Sequence, residues 1–146
     1  MSAKKKAMLC AVATLAGLVI AAPQSGAAAY PANNFDVTFG ASYTRGTITW
    51  YDRSVRLTGT MRSLASSGCR RTIGFTYNAD ASKQLGEHGT SSQCGDAIKA
   101  LPPIDVPADV PGGAGLVTVC LTDGDGVVLG TAQAPACRAY ARSDAS

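Results

Sequence analysis

Few residues in this chain could do chemistry, and their spacing decides what kind. His88, in "GEHG", is the only histidine, and Glu87 beside it is the only glutamate. Acyl transfer by a Ser–His–Asp set needs an imidazole oriented by an acid and placed against a nucleophile. Here the imidazole sits between glycines in a polar segment, and the chain contains no G-x-S-x-G elbow. That pattern reads as a solvated loop histidine. Glycosidic hydrolysis needs two carboxyl groups facing each other across the scissile bond. Ten acids are present, but most of the aspartates stand in turn-like or Pro-rich segments of a chain too short for a deep cleft. Catalytic zinc needs three protein ligands, which one histidine and widely spaced cysteines do not supply. "DGDG", residues 123–126, carries two acids of a calcium loop without its third ligand position or its closing glutamate. It reads as a turn. The expectation is a protein without catalytic residues, metal or cofactor.

Binding chemistry has a better starting point in "TITWYDRSVRLTG", residues 47–59, which holds the only tryptophan, Trp50. With "YDRS" as a loop, Trp50 faces Val55, Ile48 faces Leu57, Thr49 faces Arg56 and Thr47 faces Thr58. All apolar residues then fall on one side and all polar ones on the other. This register makes Trp50 a core residue and continues the inner side through Gly59 and Met61, with Arg62 outside. It leaves Tyr51, Asp52 and Arg53 at a hairpin tip, with Arg56 just below on the polar side. Loop tips on rigid strands are where recognition residues are commonly placed, so these four are the candidate binding residues. Arg45, Arg53, Arg56 and Arg62 could line one sheet face and meet an acidic partner such as an anionic wall polymer. A solvated Arg-rich face is the plainer reading, and mutual neutralisation that of the uneven charge between residues 45–71 and the rest of the chain.

The leader and the cysteines both bear on the compartment. "MSAKKK" followed by the uncharged run 7–22 and by "AAA" at 27–29 has the order of a secretory signal peptide. The division expected is a leader over residues 1–29 and one secreted domain over residues 30–146. A membrane span would need about 20 apolar residues, so no membrane association is expected once the leader is removed. Lys4, Lys5 and Lys6 leave with it, and the ten remaining bases balance ten acids. The global positive field that would draw in nucleic acid is therefore missing. Four cysteines remain, Cys69, Cys94, Cys120 and Cys137, an even number in an exported chain, which implies two disulfides. Of three possible connectivities, local closure favours Cys69–Cys94 with Cys120–Cys137.

The elements that must position these residues read as strands. "FDVTFGASY" alternates Phe35, Val37, Phe39, Ala41 and Tyr43 on one side, with a turn expected at "TRG", residues 44–46. "CRRTIGFTYN" reads as a strand with Cys69, Arg71, Ile73, Phe75 and Tyr77 toward the core. Residues 78–96 are weakly periodic, with room for a short helix near 81–85 or a strand near Gln93. Pro102, Pro103, Pro107 and Pro111 exclude a central strand and suit an edge segment touching the core through Ile104, Val106 and Val110. "LVTVCLT" is a central strand, "DGDG" its hairpin turn, and "VVLGTAQ" the return. Several short strands, turn signals and two disulfides predict an all-β fold, an antiparallel β-sandwich of immunoglobulin-like architecture. The Cys…Trp…Cys spacing of true immunoglobulin domains is absent, because Trp50 precedes every cysteine of the mature chain.

"YTRGTITWYDRSVRLTG" followed by "VTVCLTDG" resembles small secreted β-sandwich proteins of actinomycete-type bacteria that have no assigned activity. The resemblance implies export and fold, and nothing catalytic. Secreted bacterial amylase inhibitors share four cysteines and an aromatic hairpin, but their Trp-Arg-Tyr motif is Trp50-Tyr51-Asp52-Arg53 here and the cysteine spacing differs, so their inhibitory residues are not carried over. The reading is an extracellular binding module for a protein or a cell-envelope polymer. The alternative is an inhibitor of an extracellular hydrolase that presents either "YDRS" or the loop at residues 87–92.

Overall fold

A computed structural model describes residues 29–63 and 68–146 and contains eight β-strands and no α-helix among them. The expected leader falls almost wholly outside the described residues. Strands β1 (Ala32–Phe39), β2 (Ser42–Trp50) and β3 (Ser54–Arg62) form an antiparallel meander. The register between the second and third is the one that alternation dictates: Trp50 pairs with Val55, Ile48 with Leu57, Thr49 with Arg56 and Thr47 with Thr58. Strand β4 (Arg70–Tyr77) crosses to a second sheet and pairs with β5 (Gln84–Gly89); β6 (Ile98–Pro107) returns to pair with β3. Strands β7 (Leu116–Asp123) and β8 (Cys137–Ala141) complete two four-stranded antiparallel sheets, ordered β1-β2-β3-β6 and β5-β4-β7-β8.

The core lies between these sheets. Ile48, Trp50, Val55, Leu57 and Val106 of the first meet Val117, Val119 and Leu121 of the second, all fully buried. Trp50 does not bury its N–H unpaired: Nε1 donates to Asn33 Oδ1 at 2.8 Å. The prolines behave as an edge strand requires. β6 pairs on one side only, Ile104 and Val106 are buried, and the Leu57–Gly59 register slips where Pro102 and Pro103 pass. Both disulfides have the local connectivity, Cys69–Cys94 and Cys120–Cys137.

Several expectations are corrected. The first turn lies at residues 40–41, with Gly40 at φ +60°, and not at residues 44–46. The reversal therefore comes before Tyr43, which lies on the outer face, while Ser42 and Thr44 point inward. Phe39, the last residue of β1, is 41% exposed. The faces of β4 are also reversed: Arg70, Thr72, Gly74 and Thr76 point inward and Ile73, Phe75 and Tyr77 outward. Packing explains it. A Cβ on Gly74 would come within 2.7 Å of Val106 Cγ2, so the bulk at this layer is already supplied by the facing sheet. Thr72 replaces apolar contact with a cross-sheet hydrogen bond, donating to Thr44 Oγ1 at 2.8 Å. Cys69–Cys94 is not directed at the core, since Cys94 is exposed. The helix near residues 81–85 does not form; β5 begins there instead, so residues 87–89 of the second proposed inhibitor loop are strand. Gln93 makes only an isolated bridge to Arg70. "DGDG" does turn, with Asp123 Oδ1 accepting from the N–H groups of Asp125 and Val127. Its return makes only isolated bridges, and β8 takes the place beside β7.

Candidate functional site

The hairpin register places the candidate residues. Trp50 and Val55, pinned inward, leave a short tip between them that Tyr51 N–H closes by donating to the Ser54 carbonyl at 2.9 Å. The tip is braced from outside the hairpin as well, because Ala108 N–H donates to the Arg53 carbonyl at 2.9 Å. Gly113, at φ +70°, passes so close beneath the carbonyls of Tyr51 and Asp52 that a Cβ there would lie 2.7 Å from the latter. All four candidates, Tyr51, Asp52, Arg53 and Arg56, line one open depression of about 730 Å³ together with Ser54 and Asp105.

Its electrostatics are those of paired charges. Arg56 holds Asp105 through two hydrogen bonds, Nε to Oδ1 at 2.7 Å and Nη2 to Oδ2 at 2.9 Å. Those bonds push the Asp105 carboxyl below its ordinary range, against some desolvation and with help from the charges of Arg56 and His88. The same pairing raises the Arg56 guanidinium. Arg53 bonds Asp109 through Nη1, and Arg142 lies 4.0 Å from Asp52. Tyr51 carries the Tyr30 ring edge-on at 4.5 Å between centroids and the Arg56 guanidinium at 5.6 Å from its own centroid. The surface is thus an aromatic ring among alternating donors and acceptors, with its aspartates set against arginines. His88 lies behind it, where Nδ1–H donates to the Asp105 carbonyl oxygen at 2.9 Å.

The neutralisation extends over the whole outer face of the first sheet. Arg45 pairs with Asp36 at 3.4 Å and Arg62 with Asp96 at 2.7 Å. Arg45, Arg56 and Arg62 do line one face, with Tyr43, Thr47 and Thr49 among them, whereas Arg53 stands at the hairpin tip; each of the four has an acid of its own chain. Arg45 also lies over the Tyr43 ring, 3.9 Å from its centroid. Tyr77 belongs to the other sheet and has no part in this surface. Asp105, Asp109, Tyr30 and Arg142 were missed from sequence. "PPIDVP" carries the first of them, but only the β3–β6 register, Arg56 opposite Asp105, reveals its use. No family model, curated protein or solved structure matches this chain.

Proposed function

We propose that this protein is an exported, non-catalytic binding module that engages a protein or cell-envelope polymer through the tip of its β2–β3 hairpin. The observation that carries this reading is the convergence of Tyr51, Asp52, Arg53 and Arg56 with Asp105 on a single open depression. Two disulfides suit an oxidising compartment. The strand order supports an immunoglobulin-like frame: β2-β3-β6 and β4-β7-β8 pair as A-B-E and C-F-G do. Because the arginines are already paired, the preferred partner surface is polar and hydrogen-bonding more than densely anionic.

Retention of the oxidised protein on envelope and culture-supernatant fractions tests this. Tyr51→Ala and Arg53→Ala are expected to reduce recovery several-fold at unchanged thermal stability. Equal recovery of wild type and both variants removes the tip from recognition. The bracing of the tip by Ala108 N–H also suits a rigid inhibitory loop. Stoichiometric loss of activity of an extracellular hydrolase, abolished by the same substitutions, would favour that second reading.

A further inference from the structure

A second surface lies away from the hairpin tip. Phe35, Gly46 and Gly59 form one cross-strand row through β1, β2 and β3. Neither glycine raises a side chain, and the two backbones approach so closely that a Cβ on either would fall 2.6 Å from the other's Cα. Asn34 and Thr47, paired across β1 and β2, flank this row on one side. Asp36, Arg45 and Thr60 flank it on the other. The result is an open groove of about 530 Å³ running across the strands, closed at the β8 end by Tyr140 and Arg138. That volume falls in the range of small-molecule sites, and at a strand spacing of about 4.8 Å the groove extends about 10 Å from β1 to β3.

We infer that this groove binds a short linear glycan carrying a carboxylate, with the acidic group at Arg138. Hydroxyls, an amide and a compensated ion pair along both walls match a chain of hydroxyl and acetamido groups. Arg45 is neutralised by Asp36, whereas Arg138 has no carboxylate within ion-pair distance among the described residues. The groove therefore offers one uncompensated cation, at one end. An extended peptide added to the sheet would need free backbone groups along the β1 edge. Those of Ala32 are taken by the backbone of Ser146, and those of Asp36 by the Tyr140 hydroxyl, which accepts at 2.9 Å and donates at 3.2 Å. The site is separate from the hairpin tip and does not depend on it.

The test is an amide chemical-shift titration of the oxidised protein at low salt with three probes. These are a tetrasaccharide alternating N-acetylglucosamine with N-acetylmuramic acid, the neutral N-acetylglucosamine tetramer, and an acidic peptide of equal charge. Saturable shifts are expected with the acidic sugar at residues 34–36, 45–47, 59–60 and 138–140. Arg138→Gln should weaken that sugar about tenfold, to the level of the neutral tetramer, while Thr47→Val weakens both sugars. Absence of saturable shifts, shifts centred elsewhere, tighter binding of the peptide, or an unchanged affinity in Arg138→Gln would each overturn the inference.

Discussion

Trp50 and Asp105 show how single side chains set the architecture and the surface. The indole fills the centre of the core, and its N–H is satisfied by Asn33 Oδ1 at 2.8 Å, so burial costs no unpaired donor. Trp50→Phe removes both the volume and the donor and should lower unfolding free energy by about 1–3 kcal/mol in urea. Asp105 makes the second prediction. Its folded-state pKa lies below the unfolded value because Arg56 bonds the ionised form. The pair therefore contributes fully above the ordinary carboxyl pKa of about 3.9 and loses its contribution as pH falls through the lower folded value. Between about pH 5 and about pH 2, the melting temperature of wild type should fall more steeply than that of Asp105→Asn. Parallel slopes would mean the pair stores nothing. The pair is about half exposed, so the difference will be small and should shrink in salt.

The strands make the demands that these residues meet. Gly46 and Gly59 face each other where the β2 and β3 backbones come closest, and a methyl on Gly59 would collide with the Arg45 carbonyl. Gly59→Ala should therefore cost about 2–3 kcal/mol, measured by urea denaturation, although it adds a residue of better intrinsic propensity. A neutral result would disprove the close approach. The β2–β3 hairpin was fully legible in the sequence because both its strands alternate and one register satisfies both. The four tip residues followed from it. The pattern of β4 points to the opposite faces, because the large residues Ile73, Phe75 and Tyr77 look like a core stripe. Their outward placement depends on Val106 and Leu57 filling the space over Gly74, which is information held in another sheet. The first turn is hidden in the sequence because Phe39-Gly40-Ala41 continues the parity of β1. β5 and β8 are edge strands with little apolar content, so neither carries a strong periodic signal. Asp105 belongs to the site only through pairing between distant strands, which no local pattern encodes.

At the scale of the molecule, the two sheets are held together at their seams, while the two cystines brace the second sheet, Cys120–Cys137 across its neighbouring strands β7 and β8 and Cys69–Cys94 beside the start of β4. On the β5–β6 side, Thr76 Oγ1 donates to the Pro107 carbonyl and His88 to that of Asp105. On the β1–β8 side, the Tyr140 hydroxyl satisfies both backbone groups of Asp36 and also protects an edge from pairing with other chains. Cys69–Cys94 and Cys120–Cys137 close spans of 25 and 17 residues. Replacing either pair by alanine should lower unfolding free energy by about 3 kcal/mol on the chain-entropy argument, again read in urea. A frame braced in this way leaves the hairpin tip as its presented surface. The most direct measurement of that claim is the amide hydrogen-exchange footprint of the oxidised protein, free and retained on the envelope or supernatant fraction that captures it. Protection gained at residues 51–56 and around Asp105 is the predicted result. A footprint confined to the other sheet, around Ile73, Phe75 and Tyr77, would contradict it.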